Sequence, residues 1–156
     1  MKTPVTFYSR ANCPLCEDAK EAIRASGAEV EITEVDVDRD PELKKLYSDD
    51  VPVVHIDGAE GFRHRVDPKL FAAYVKGGLK GWRVVEEHHL EKQYDFPDFA
   101  QGLAFVNRVG ALAEEQNHHP DVVLQWGKVT LTLRSHDVEA ITGRDFRLAA
   151  AVDGLS

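Results

Sequence analysis

The stretch TPVTFYSRANCPLC, residues 3–16, joins a strand pattern to a pair of cysteines at the start of a helix. Residues 3–8 predict a short strand. Apolar side chains then recur on one helical face over residues 14–26, and a glycine follows. The pattern therefore places Cys13 and Cys16, the only cysteines of the chain, at the first turn of that helix.

The rest of the first half continues to alternate strands and helices. Residues 30–37 alternate apolar and polar side chains, as a half-buried strand does, and Asp40-Pro41 supplies the cap and first residue of a helix. Residues 51–56 predict a strand, Asp57-Gly58 a hairpin turn and residues 67–76 a helix. The order β-α-β-α-β-(β)-α is typical of an α/β thioredoxin-like fold.

A change of pattern after Gly77-Gly78 predicts two domains, residues 1–78 and 79–156. The second domain is expected to contain two strands, a long helix that begins near Phe99, two more strands and a last helix. These strands and the last helix are predicted at residues 82–85, 90–94, 122–126, 129–133 and 142–152. The order predicts an α+β domain with a four-stranded antiparallel sheet and helices on one face.

Composition and charge exclude several classes of function. The chain has 43% apolar residues, enough for a packed core, but no apolar run of the roughly 18 residues that a membrane span needs. The net charge of −8 is divided equally between the two predicted domains, so neither carries the basic patch of a nucleic-acid binder. The first residues lack the apolar segment of a signal peptide, which predicts a cytoplasmic protein.

A cluster of ionisable side chains distinguishes the second domain. It contains Glu114, His118, His119, His136 and Asp145. Histidine exchanges protons near neutral pH and also binds metals, so the cluster indicates one of these two chemistries or a structural network. Adjacent histidines diverge on a helix, which disfavours a shared metal ion. Glu114 and His118, four residues apart on the predicted helix, share a face and are expected to form a hydrogen bond.

This cluster resembles the signature of the pterin-4a-carbinolamine dehydratases (4a-hydroxytetrahydrobiopterin dehydratases). Matching residues extend over most of the second domain: Gly81-Trp82, Tyr94-Asp95-Phe96, Phe99, Phe105-Val106, Val109, Ala113-Glu114, His118-His119-Pro120, Trp126, Val129-Thr130-Leu131, Ser135-His136-Asp137, Thr142, Asp145 and Leu148-Ala149. Family members have a helix before the Gly-Trp segment, a place that the helix at residues 67–76 takes here. That helix could serve both domains.

The resemblance implies a lyase that dehydrates a 4a-hydroxytetrahydropterin to a quinonoid dihydropterin, with no metal and no cofactor. It implies that His118, His119 and His136 line the pterin pocket. We predict that His119 and His136 transfer protons while Glu114 and His118 orient and bind. Asp145 and Trp126 are predicted to bind the substrate. The family also implies a homodimer or homotetramer.

The cysteine pair indicates a second chemistry. A thiol at a helix N-terminus is activated by the helix dipole, and a second thiol can resolve a mixed disulfide. Pro52 precedes a strand, where thioredoxin-like folds place a cis-proline beside the active cysteines. The segments that carry the resemblance to the small glutaredoxin-like family are Tyr8-Ser9-Arg10, Cys13-Pro14-Leu15-Cys16, Val35-Asp36-Val37-Asp38, Tyr47, Val51-Pro52-Val53 and Asp57-Gly58.

This second resemblance implies thiol-disulfide exchange by Cys13 and Cys16 with glutathione or a protein disulfide as partner. The Gly-Gly-x-Asp segment that helps typical glutaredoxins bind glutathione has no counterpart, since Gly58-Ala59-Glu60-Gly61 follows the strand instead. A thioredoxin-like scaffold without redox activity is the alternative for this domain. For the whole chain, the alternative to a dehydratase is a thiol-disulfide oxidoreductase with a non-catalytic pterin-binding or dimerisation domain.

Overall fold

A computed structural model describes residues 2–155. Its contacts divide the chain into two compact units, one that ends at Glu87 and one that starts at His88. This division lies further along the chain than the predicted boundary after Gly78, because residues beyond Gly78 still contact the first unit. For example, the Tyr74 hydroxyl donates a buried hydrogen bond of 2.6 Å to the carbonyl oxygen of Trp82.

The first unit is built on a mixed four-stranded sheet. Its elements are β1 Thr3–Ser9, α1 Pro14–Ser26, β2 Val30–Asp36, a 3₁₀ turn Val37–Arg39, α2 Pro41–Tyr47, β3 Val53–Ile56, β4 Ala59–Arg63 and α3 Pro68–Lys76. The strand order is β2-β1-β3-β4, with β1 parallel to β2 and antiparallel to β3. The predicted order of strands and helices is therefore confirmed, including the strand given in brackets, which is β4.

Local capping explains where the helices of the first unit begin. The side chains of Cys13, Asp40 and Asp67 each accept backbone hydrogen bonds from the first turn of α1, α2 and α3, and a proline follows each cap. The predicted strand at residues 51–56 begins only at Val53, because Pro52 has no N–H to donate to a neighbouring strand. The Val51–Pro52 peptide bond is cis.

In the second unit, β8 pairs with β6 on one side and with β7 on the other, and both pairings are antiparallel. The elements of this unit are β6 His89–Asp95, α4 Phe99–Gln116, β7 Asp121–Gln125, β8 Lys128–Leu133 and α5 Gly143–Asp153, whereas β5 Arg83–Val85 lies at the end of the first unit. Helix α4 contacts β7, β8 and α5. The strict alternation in β8 buries Val129, Leu131 and Leu133 in this core, as the sequence pattern predicts.

None of the helices within residues 2–155 is both long enough and apolar enough to cross a membrane.

Candidate functional site

The site in the second unit begins where α4 ends. Asn117 adopts a left-handed conformation with φ 50°, and its N–H donates to the carbonyls of Ala113 and Glu114. The N–H of His118 donates to the carbonyl of Ala113 at 3.0 Å. These bonds satisfy the last carbonyls of the helix and turn the chain away from its axis. His118 and His119 therefore follow the helix and do not continue its side-chain pattern.

The two adjacent histidines have different carboxylate partners. Nε2 of His118 lies 2.5 Å from Oδ1 of Asp145, and both side chains are buried. Nε2 of His119 lies 3.1 Å from Oε2 of Glu114, and both side chains are exposed. The predicted hydrogen bond between Glu114 and His118 is wrong, because Asn117 ends the helical geometry that would have placed them on one face.

Asp145 is fully buried at the first turn of α5. Its Oδ2 accepts hydrogen bonds from the Ser135 hydroxyl at 2.9 Å and from the Thr142 N–H at 2.8 Å. Thr142 and Asp145 form a reciprocal capping box, since the Thr142 side chain caps the same helix turn. The sequence pattern Thr-x-x-Asp before an apolar run indicates this box, whereas nothing in the sequence alone indicates the contact with Ser135.

His136 lies in the exposed loop between β8 and α5, next to the buried Ser135. Nε of Arg134 lies 3.4 Å from Nδ1 of His136. The loop is held by the Ser135 N–H, which donates to the Ala140 carbonyl at 2.8 Å. The Arg144 guanidinium donates a 2.7 Å hydrogen bond to Asp137 and lowers the pKa of that carboxyl. Since Ser135 contacts Asp145, the loop brings His136 to the side of the buried network.

Trp126 stands apart from these contacts. It lies in the turn between β7 and β8 and is 72% exposed. Within residues 2–155 it forms no hydrogen bond and no ring contact. Across the same residues, no three histidine, cysteine or acidic side chains are arranged to hold a metal ion. The structure thus groups His118, His119, Glu114, Asp145 and the loop of His136, and within residues 2–155 Trp126 forms no side-chain hydrogen bond with them.

The cysteine site lies in the first unit. Cys13 and Cys16 form a disulfide at the N-terminus of α1. Cys13 is half-buried, whereas Cys16 is 1% exposed. The carbonyl of Pro52 accepts a 2.7 Å hydrogen bond from the N–H of His64, which fixes the segment after β4.

A cleft of about 300 Å³ lies beside the first turns of α1. Its lining includes Leu15, from between the cysteines, together with Ala19, His64, Arg65 and Val66. Arg65 is exposed and forms no ion pair with any residue from 2 to 155. The segment held at Pro52 therefore contributes a cation to a cleft that Leu15, the residue before Cys16, also lines.

Together the two units define an α/β protein in which a thioredoxin-like cysteine pair and a histidine–carboxylate site occupy different parts of the chain. The chain belongs to the pterin 4 alpha carbinolamine dehydratase family, whose model matches residues 64–155. Residues 4–76 match the model of a glutaredoxin-like domain. Both predicted resemblances are confirmed. Residues 64–76, which contain helix α3, fall within both matches.

Similar proteins from bacteria cover the second part of the chain. A relative from Rubrobacter xylanophilus is 52% identical over 77 residues, which are 49% of this chain and 72% of the relative. A relative from Alkaliphilus metalliredigens is 44% identical over 80 residues, 51% of this chain and 72% of the relative. Both are named for pterin-4-alpha-carbinolamine dehydratase activity.

One solved structure supports the fold of this part. The transcriptional coactivator/pterin dehydratase from Brucella melitensis superimposes with a TM-score of 0.53 and 23% identity. The superposition covers 58% of this chain and 95% of the Brucella melitensis chain.

Proposed function

We propose that the chain dehydrates a 4a-hydroxytetrahydropterin to the quinonoid dihydropterin and water. The observation that carries the proposal is the pair of adjacent histidines after α4, each hydrogen-bonded to its own carboxylate, in a chain of the dehydratase family. The relatives named for this activity support the same reaction.

The reaction requires two proton transfers. The N5–H bond of the carbinolamine breaks, and the N5=C4a double bond forms as the C4a–O bond breaks. The departing hydroxide takes a proton and leaves as water. Imidazoles suit both steps because they accept and release protons near neutral pH. In the proposal His118, His119 and His136 supply these groups, and Glu114 orients His119.

Trp126 is proposed to border the pterin. Its exposed indole offers a flat apolar surface of the kind on which aromatic ligands stack. A Trp126→Ala variant should raise KM for the pterin with little change in kcat. Equal KM values for the two proteins would remove Trp126 from the binding site.

A stopped-flow assay tests the proposed activity. Tetrahydropterin is oxidised to the 4a-carbinolamine, and the appearance of the quinonoid dihydropterin is followed by absorbance with and without protein. The wild type should accelerate the reaction, and His119→Ala should lose most of this acceleration. Cys13→Ser should keep it, because the cysteines belong to the other unit. Wild-type rates equal to the uncatalysed rate would contradict the proposal.

A second activity, thiol-disulfide exchange, is supported by the geometry at Cys13 and Cys16. The two sulfurs are already bonded at a helix N-terminus, and Cys13 is the more accessible. In the reduced protein the Cys13 thiolate attacks a partner disulfide, and Cys16 then displaces the partner as a thiol. The pair becomes oxidised, and a thiol such as glutathione or a dithiol protein must reduce it again.

Trapping experiments test this second activity. Cys16→Ser should accumulate a mixed disulfide through Cys13 when a partner disulfide is added, whereas Cys13→Ser should not. Incubation with glutathione disulfide and with a disulfide-containing protein separates the two partner classes by mass. Absence of a mixed disulfide with either would favour the scaffold alternative.

We also propose a homodimer or homotetramer. Strand β7 is at the edge of its sheet and exposes Val122 and Val123, at 38% and 54%. An exposed apolar edge strand favours pairing with another strand. Light scattering after size-exclusion chromatography should give a mass that falls to the monomer in Val123→Lys. A monomeric wild type would contradict this part of the proposal.

A further inference from the structure

A chain of hydrogen bonds runs from Thr142 to the buried His118. The Ser135 hydroxyl donates to Asp145, so its single hydrogen is used. The Thr142 hydroxyl, 2.6 Å from the Ser135 oxygen, must therefore donate to it. The N–H of Arg144 donates to the Thr142 hydroxyl oxygen, which agrees with this direction. All the hydrogen bonds in this series are therefore donated in the direction of Asp145.

Asp145 receives hydrogens on both of its oxygens. The Ser135 hydroxyl and the Thr142 N–H donate to Oδ2, and Nε2 of His118 lies 2.5 Å from Oδ1. A backbone N–H cannot reverse its direction, so the orientation of the carboxylate is fixed from the Thr142 side. The ionised carboxylate has no hydrogen to donate, so it accepts from His118, and Nε2 of that imidazole carries a hydrogen.

The tautomer of neutral His136 is also set by a neighbouring side chain, the cation of Arg134. A guanidinium can only donate, so the contact of Arg134 Nε makes Nδ1 of His136 an acceptor. The hydrogen of the neutral His136 imidazole is then on Nε2. The nitrogen of His118 that Asp145 does not contact is therefore a hydrogen-bond acceptor, whereas the nitrogen of His136 that Arg134 does not contact is a donor.

We infer that Asp145 is a positioning residue, supported by Ser135 and Thr142, which makes Nδ1 of His118 the proton acceptor of the dehydration. The inference rests on the proposed function for the identity of the reaction. Nδ1 of His118 takes the proton from N5, and the resulting imidazolium is stabilised by Asp145. Protonated His119, held by Glu114, gives its proton to the departing hydroxide. Solvent then returns a proton from His118 to His119.

This assignment differs from the roles that the sequence suggested. His118 moves from an orienting role to proton transfer. Asp145 moves from substrate binding to positioning, since it is fully buried and its carboxylate contacts His118, Ser135 and Thr142. The general precedent is the buried aspartate of a serine-protease triad, which fixes the tautomer of its histidine without exchanging protons itself.

The tautomers are measured directly by long-range ¹H–¹⁵N correlation spectra of the full-length protein. In the wild type at a pH where His118 is neutral, we expect Nε2 protonated and Nδ1 bare. In Asp145→Asn the amide oxygen must face the N–H of Thr142, so the amide NH₂ faces His118. Nε2 then has to accept, and the hydrogen should move to Nδ1.

Kinetics supply a second readout. Asp145→Asn should lower kcat by about 10²–10⁴-fold with little change in KM, because the carboxylate does not touch the substrate. Ser135→Ala keeps the carboxylate and should keep the wild-type tautomer. Asp137→Asn is the matched control in the same loop. Its exposed side chain pairs with Arg144, so tautomer and kinetics should remain those of the wild type.

Two results would overturn the inference. One is a wild-type His118 protonated at Nδ1, which is detectable even if Asp145→Asn fails to fold. The other is an Asp145→Asn variant that folds and raises KM at unchanged kcat, which would assign Asp145 to substrate binding. The tautomer of His118 can be measured in the absence of turnover. A wild type without dehydratase activity but with the expected tautomer would therefore contradict the proposed reaction and leave the positioning of His118 intact.

Discussion

Glu114 Oε2 lies 3.1 Å from Nε2 of His119, so the helix carboxylate pairs with the second of two adjacent histidines. The first, His118, is paired with Asp145 instead. The left-handed Asn117 between the helix and the histidines causes this exchange of partners. One pair is exposed and the other is buried, and the two pairs should therefore respond differently to mutation.

Loss of the buried imidazole should be costly to stability. His118→Ala leaves the Asp145 carboxylate buried without its nearest partner, which costs about 3–5 kcal/mol of unfolding free energy. Urea unfolding of the wild type and of His118→Ala, followed by circular dichroism, measures this loss. A loss below about 1 kcal/mol would show that the pair is accessible to water in solution.

Loss of the exposed imidazole should affect the reaction and not the fold. His119 is 56% exposed, and exposed ion pairs contribute at most about 1 kcal/mol. His119→Ala should therefore unfold at nearly the wild-type urea concentration while the dehydration rate falls by about 10²–10⁴-fold. Equal losses of stability in His118→Ala and His119→Ala would contradict the distinction between the two pairs.

His55 should make the first unit less stable in mild acid. Burial lowers the pKa of His55, which packs against Tyr8 and Tyr47 and faces Glu60 and Arg63. The unfolded chain takes up this proton near pH 6.5, whereas the folded unit resists it. The unfolded state then binds more protons, so stability is full above about pH 6.5 and falls as the pH drops through that value.

Comparison of urea midpoints at pH 7.5 and pH 5.5 tests this dependence. His55→Phe keeps an aromatic ring but cannot titrate, so its midpoint should fall less than that of the wild type. His64→Asn removes an exposed histidine that pairs with Asp50 and is the matched control. Parallel pH profiles for the wild type and His55→Phe would assign the acid sensitivity to other groups.

Reduction of the Cys13–Cys16 disulfide should cost the first unit little stability. The bond joins residues that are three positions apart, so it removes little freedom from the unfolded chain. The chain-entropy estimate for so short a loop is about 2 kcal/mol. Unfolding with and without a dithiol measures the difference, and a Cys13→Ser/Cys16→Ser variant should show none. A loss above about 4 kcal/mol would indicate that the oxidised pair organises the fold.

The Tyr94 hydroxyl should stay protonated and donate its hydrogen bond to Asp153 at both neutral and mildly alkaline pH. Burial raises the pKa of Tyr94, and its hydroxyl donates to Asp153 at 3.0 Å. Tyr94→Phe should lower the unfolding free energy of the second unit by about 0.5–1.5 kcal/mol, the usual net contribution of such a bond. The effect should be the same at pH 7 and pH 9, because the phenol stays protonated across this range. A loss present only at pH 7 would contradict the direction of the shift.

Much of the fold follows from local sequence signals. Asp40-Pro41, Asp67-Pro68 and Thr142 mark the beginnings of α2, α3 and α5, because capping depends on residues within one turn. Alternation in residues 129–133 predicts the buried face of β8 for a similar reason. The start of β3 was predicted two residues too early, since periodicity alone does not register that a proline cannot donate to the sheet.

The candidate site was predicted as a set of residues and only partly as a set of contacts. His118, His119 and Glu114 follow from residue type, spacing and family resemblance. Their pairing was wrong, because it assumed that the helix continues through a position that Asn117 turns to the left-handed region. Ser135 was missed as a partner of Asp145, since the two residues lie ten positions apart and meet only where the loop after β8 folds back.

The sequence by itself determined which chemistry-bearing residues the chain has, the two family resemblances and the order of strands and helices. These depend on residue identity and on periods of two to four residues along the chain. The tertiary structure alone decided that Asp145 is buried beneath His118 and that Glu114 serves His119. Hydrogen bonds between side chains depend on where separate elements meet and on the direction of each donor, and neither is set by local spacing.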